Sequence, residues 1–267
     1  MFLKIFRHEF KKLFSVTFIL FGAQLLLGLF VGGSVRIMTE MESALNVFIA
    51  SSLSGVMMFS VLAMGVVCAA ISILIVYRFY RSISSDEAYL TFSLPATTKE
   101  QLGARFLVMY LYNLISYVVL ILAIGICVLT AVPFPQISEM LSSVMENLRE
   151  LFLQLDVSAV LYSVEGIFAL LVFSLLSVSE TMFAVILAHV VAKKHKAGAT
   201  VGMLIALGYA EGILFEIVTL PVTLALAVSG RYTLQVSYFL TMILAIAFLV
   251  VCSVVSYRLI DRKLNLD

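Results

Sequence analysis

The sequence predicts an all-α polytopic membrane protein with six transmembrane helices, an N-terminal amphipathic helix and a short helix in the loop after the second span. Three observations predict it. Of the 267 residues, 63% are hydrophobic and only 12% charged, half the charged fraction of a typical soluble domain. Apolar runs of span length recur near residues 15–35, 48–77, 106–132, 159–192, 197–228 and 236–257, and about 20 helical residues cross a bilayer core. Ten-residue stretches of alternating polarity are absent, which argues against a β-barrel. Inside lipid the backbone must satisfy its own hydrogen bonds, so each run is read as a helix.

In residues 1–14, Phe2, Ile5, Phe6, Phe10, Leu13 and Phe14 share one helical face. Lys4, Arg7, His8, Lys11 and Lys12 fall largely elsewhere. This reads as an interfacial helix, aromatic side chains toward lipid and basic ones toward anionic headgroups. The following run is too long, and lacks the small-residue cleavage site, for a secretory signal. The second and fourth runs exceed what a bilayer needs, so they tilt or project beyond it. Pro133 and Pro135 end the third span. Beyond them Ile137, Leu141, Val144, Leu148, Leu151, Phe152 and Leu155 recur at helical spacing, with Glu139, Glu146, Glu150 and Asp156 opposite. Residues 133–158 thus form an external amphipathic helix, either a lid over a pathway or a connector on the outer leaflet.

In the fifth run Gly198, Gly202, Gly208 and Gly212 make two small-xxx-small pairs suited to close helix contact. That span is placed at 197–217. Pro221 then suggests a kinked or re-entrant piece over 218–229, which needs cover from protein or a water-filled cavity. With no linker or clear repeat, the chain reads as a single membrane domain.

Charge sets the expected orientation. With the N terminus inside, Lys4, Arg7, Lys11, Lys12, Arg78, Arg81, Lys99, Arg105, Lys193, Lys194, Lys196, Arg258, Arg262 and Lys263 are internal. Only Arg36, Arg149 and Arg231 are then external. The positive-inside tendency therefore predicts a multi-pass protein of the cytoplasmic membrane with both termini in the cytoplasm. Cys68, Cys127 and Cys252 lie in apolar runs without ligand spacing and read as small core residues, so neither a disulfide framework nor a metal site is expected.

Two constellations could carry chemistry. The first is the charged segment 78–105 between the second and third spans. Ser84 and Glu87 have capping-box spacing, and Asp86 and Glu87 suit the positive end of a helix. A short helix from Ser85 to about Phe92 follows, ended by Pro95, with a second helix start over Thr98–Gln101. It presents Tyr89, Leu90, Phe92 and Leu94 as contact residues. It reads either as a docking surface held between two rigid spans or as a turn resting in the headgroups. The second constellation is Glu165, Glu180, Glu211 and Glu216 in apolar surroundings. Such groups either line an export cavity or bind cationic substrate groups, or they are protonated or hydrogen-bonded glutamates that glue helices together. His189 falls about 180° from Glu180 on its helix and reads as an interfacial residue.

The stretches Tyr77-Arg78-Phe79-Tyr80 and Asp86-Glu87-Ala88-Tyr89-Leu90-Thr91-Phe92-Ser93-Leu94-Pro95, with the ending Arg262-Lys263-Leu264-Asn265-Leu266, resemble the permease subunits of ABC-2-type ABC exporters. The resemblance is to the small Gram-positive forms that work with a separate ATPase chain. The basic amphipathic start, the six spans and the interrupted region between the fifth and sixth extend it across nearly the whole chain. It implies that 78–105 holds the coupling helix, so that Ser85, Asp86, Glu87, Tyr89, Leu90, Phe92 and Leu94 meet ABC ATPase subunits. It also implies a second permease subunit, of the same or a related chain, and export of an amphipathic peptide, drug or lipid-like substrate.

The chain contains no G-x-x-x-x-G-K-[ST] loop. It has no phosphate cradle of its own, and ATP and Mg would sit in the partner ATPase. H-E-x-x-H and G-x-S-x-G are also missing from the sequence, so it is not read as an enzyme. Two other classes remain open: an ion-coupled carrier built on Glu180 or Glu211, and a non-transporting scaffold or sensory subunit.

Overall fold

The computed structural model describes residues 1–40, 47–84, 97–132, 139, 142–143, 145–146, 157–192, 194–229 and 233–263. Six long helices dominate them: α1 (Phe2–Glu40), α2 (Val47–Ser84), α3 (Thr98–Ala131), α4 (Val157–Val191), α5 (Lys196–Ser229) and α6 (Thr233–Lys263). All six are long and apolar enough to cross a membrane. The protein is thus an all-α, multi-pass membrane protein. Large apolar side chains such as Phe18, Ile19, Phe30, Phe59, Val66, Ile73 and Ile243 are exposed along the helices. In water such a surface would aggregate; in lipid it is the expected outer face.

Three boundaries differ from the reading of the sequence. α1 runs unbroken from Phe2 to Glu40, so the basic amphipathic start and the first span are one continuous helix. The piece over 218–229 does not turn back, because α5 continues as helix through Pro221 to Ser229. Pro221 has no N–H to give the Ile217 carbonyl four residues earlier, and the helix runs on without that bond. On either side of it Thr219 Oγ1 donates to the Phe215 carbonyl (2.7 Å) and Thr223 Oγ1 to that of Leu220 (2.9 Å), as hydroxyls in helices commonly do. The third boundary is the start of α3, which is capped by Thr97. The Glu100 amide donates to Thr97 Oγ1 (3.3 Å), and the Thr97 amide donates back to the Glu100 carboxylate (3.2 Å). That is a reciprocal capping box one residue earlier than Thr98. In the segment 133–158 Glu139, Ser142, Ser143, Met145 and Glu146 are helical and exposed. Its apolar positions lie outside the described residues.

The chain divides into two compact units. One comprises Phe10–Ile75 and Leu111–Val164. Its described helices meet by close approach and by polar contact. A Cβ at Gly28 would stand 2.5 Å from the Ala123 carbonyl oxygen, and one at Gly32 would collide with Thr130 and the Cys127 carbonyl. Hence α1 and α3 pack backbone to backbone along a Gly-x-x-x-Gly face. Tyr112 on α3 donates to the Phe10 carbonyl on α1 (2.8 Å), and the two rings lie 4.9 Å apart. Gln24, fully buried on α1, donates Nε2 to Cys68 Sγ on α2 (3.1 Å).

The other unit comprises Met1–Glu9, Val76–Tyr110 and Glu165–Asp267. Val172 and Leu176 of α4 pack with Met242 and Ala245 of α6, and Phe215 of α5 joins them. The Tyr238 hydroxyl donates to the Glu165 carbonyl, tying α6 to α4. Between α4 and α5 the chain turns through His195, which has φ of 57°, in the left-handed region. Replacing Gly28 or Gly32 with Val is expected to destabilise the protein by about 1–3 kcal/mol through overpacking. Gly33→Val, where nothing lies within 4 Å of the new Cβ, is the control. Thermal unfolding of the purified variants, with the control close to wild type, checks it.

Candidate functional site

Ser85, Asp86, Glu87, Tyr89, Leu90, Phe92 and Leu94 lie outside the described residues. What can be described is the pair of helix ends that carry them, the last turns of α2 and the first of α3. Both are anchored. Phe79, Ser82 and Ile83 of α2 are buried, as are Gln101, Ala104 and Arg105 of α3. Arg78 reaches the Glu9 carboxylate near the start of α1 (3.4 Å), with the two side chains only 15% and 12% exposed. An ion pair this shielded is screened far less than a surface one. The Tyr80 ring leans on His189 of α4 at 5.5 Å, and Lys99 sits 5.4 Å over the Tyr257 ring of α6. The two helix ends are therefore braced by α1, α4 and α6. Arg78 and Arg105, which open and close the charged segment in the sequence, serve as partly or wholly buried anchors.

The four glutamates separate. Glu180 on α4 and Glu211 on α5 are close enough for their carboxyl groups to interact. The pairing of Glu180 with Glu211 was not predicted, since spacing along one helix does not say which helix stands opposite. Glu165 is half-buried and is engaged through its backbone carbonyl. Glu216 is exposed on α5.

Glu216 shares its face of α5 with Gly198, Gly202, Ile205, Tyr209 and Gly212, by the 100° turn per residue of an α-helix. All six are exposed, and Tyr209 is 72% exposed. Nothing stands within 4 Å of a Cβ built at Gly198, Gly202, Gly208 or Gly212. The close helix contact expected of these glycines is not made among the described residues. Gly28 and Gly32, which the sequence reading passed over, make one instead.

His189 bonds its own helix through Nδ1 and the Val185 carbonyl (3.1 Å). Among the described residues no group of three His, Cys, Asp or Glu is arranged to hold a metal. A further polar cluster went unnoticed in the sequence. Ser179 on α4 and Ser253 on α6 share a hydrogen bond (2.9 Å), and Ser179 also donates to the Leu249 carbonyl (3.3 Å). Comparison with protein-family models, curated proteins and solved structures returns no match.

Glu211→Ala is expected to lower stability by about 1–3 kcal/mol, because it leaves the Glu180 carboxyl buried without its partner. Glu211→Gln keeps a hydrogen-bonding group there and should recover most of the loss. Glu216→Gln should change little in the isolated chain. Thermal melts of the three variants in one detergent compare them. A second check is a double-mutant cycle on Glu9→Gln and Arg78→Met, which should return a coupling of about 1 kcal/mol or more, above that of exposed pairs.

Proposed function

We propose that this chain is the membrane-spanning permease subunit of an ABC exporter, driven by ATP hydrolysed on a separate subunit. The observation that carries the reading is the braced pair of helix ends around residues 85–96. α2 has 38 residues and α3 has 34, so at 1.5 Å per residue they measure about 57 and about 51 Å. A bilayer core needs roughly 30 Å. Both helices thus have length to spare, and their facing ends are tied to α1, α4 and α6. A connector mounted on such stalks can pass a displacement into the spans. The resemblance of Asp86–Pro95 to the coupling segment of ABC-2 permeases fits that geometry.

In this reading the termini and the 85–94 helix are in the cytoplasm, as the distribution of Lys and Arg indicates. ABC ATPase subunits dock against Ser85–Leu94. Closure of the ATPases around ATP and Mg moves that helix and, through it, α2 and α3. A second permease chain covers the exposed face of α5. An ionisable side chain facing hydrocarbon is costly, and the glycines beside Glu216 leave room for a close helix. The substrate is amphipathic: a peptide, a drug or a lipid-like molecule leaving through the cytoplasmic membrane.

One observation favours a second reading. The Glu180–Glu211 pair between α4 and α5 is the kind of intramembrane carboxyl site that proton- or cation-coupled carriers use. Such a carrier would move substrate without ATP, and its flux would collapse with the proton gradient and with Glu180→Gln.

The test is copurification with the partner ATPase. Changing Glu87, Tyr89 and Phe92 together to Ala is expected to reduce recovery of the ATPase at least tenfold and abolish ATP-dependent export. The permease itself should still reach the membrane. Undiminished recovery and transport in the triple variant would overturn the proposal.

A further inference from the structure

A cavity of about 220 Å³ lies between α3, α4 and α6. It is lined by Leu102, Gly103 and Phe106 from α3, Ser179 and Met182 from α4, and Ser253 and Ser256 from α6. No ionisable side chain is among them. Ser256 is 2% exposed, and its hydroxyl has no hydrogen-bond partner. Hydroxyls elsewhere in these helices bond back to the carbonyl four residues earlier, as Ser60, Ser72, Ser116 and Thr200 do. Ser256 does not. Its neighbours along the wall are already engaged: Ser179 donates to Leu249, and Ser253 is paired with Ser179. An unmet buried hydroxyl costs about 1–3 kcal/mol, so one retained on a cavity wall is suited to a ligand oxygen.

We propose that this cavity is a binding site for a small uncharged molecule with an apolar body and a single hydroxyl or carbonyl oxygen, which bonds Ser256. The size follows from packing. A dry apolar cavity of about 150 Å³ takes benzene, so one of about 220 Å³ takes a body of roughly two fused rings or an equivalent short chain. Leu102, Phe106 and Met182 supply the apolar walls, and Met182 adapts its shape to an irregular guest. A charged ligand would find no counter-ion on these walls, and its desolvation would go unmatched. The site is lined by one chain and requires neither an ATPase nor a second permease subunit. Its existence is independent of the proposed transport reaction.

The test uses the full chain in lipid nanodiscs, with 1-naphthol as probe and naphthalene as the analogue lacking oxygen. The chain has no Trp, so naphthol fluorescence is read without an indole background, and empty nanodiscs correct for partition into lipid. Saturable uptake of one naphthol per chain is expected, about five- to tenfold tighter than naphthalene, the range one net hydrogen bond supplies. Ser256→Ala, a change that should leave the fold intact, is expected to bring naphthol down to the affinity of naphthalene and leave naphthalene itself unchanged. Ser256→Leu, which fills the space, should remove both. Uptake no greater than in empty nanodiscs, equal affinity for the two probes, or a naphthol preference that survives Ser256→Ala would each overturn the assignment. The last two results would mean that Ser256 meets only water.

Discussion

Every part of this structure works under one constraint: lipid offers helices no hydrophobic reward for finding each other. A leucine is as well solvated by acyl chains as by a neighbouring helix, so association rests on close backbone approach and on polar groups that lipid cannot satisfy. The chain uses both. In one unit, Gly28 and Gly32 let α1 meet the backbone of α3 at Ala123 and Cys127. Gln24 and Tyr112 add directed hydrogen bonds nearby. In the other, the polar links are denser: Glu180 with Glu211, Ser179 with Ser253, and the Tyr238 hydroxyl with the Glu165 carbonyl. The functional reading depends on this glue, since stalks not fixed to their neighbours could not carry a displacement.

The two kinds of contact suggest different tasks. Glycine contacts between α1 and α3 are rigid, because any added side chain must displace backbone. Carboxyl and hydroxyl contacts between α4, α5 and α6 are more easily exchanged, since a water can take the place of either partner. A permease needs both behaviours: a stiff element to transmit force and a seam able to rearrange. Tyr80 against His189 and Lys99 over Tyr257 connect the stalk ends of α2 and α3 to the second set of helices.

Much of the fold was legible in the sequence because hydrocarbon thickness is so strict a ruler. Six apolar runs became six helices, and a Thr-x-x-Glu capping box marked the start of α3, one residue before the expected signal. Breaks were harder to read. The basic flank before Ser15 suggested a separate interfacial helix, yet nothing in residues 10–20 stops a helix, and α1 continues. Pro221 suggested a kinked or re-entrant piece, yet it costs an apolar helix a single backbone bond, and α5 also continues. Partners were hardest. The spacing of Gly198, Gly202, Gly208 and Gly212 marks a face where another helix could lie close, and so does that of Gly28 and Gly32. Only the folded chain distinguishes the face that is filled from the one left open. For the same reason Glu180 and Glu211 could be singled out one by one but not as a pair, and Ser179, Ser253 and Ser256 drew no notice among so many helical serines.

The central claim is that the segment after α2 faces the cytoplasm as a docking surface for a motor on another chain. Its most direct test is labelling of Tyr89→Cys by a membrane-impermeant maleimide in oriented membrane vesicles, with the unsubstituted chain correcting for Cys68, Cys127 and Cys252. The account predicts rapid labelling from the cytoplasmic side only, and protection when the partner ATPase is co-expressed. Labelling from the outer side, no labelling from either side, or rapid labelling that the ATPase leaves unchanged would contradict it.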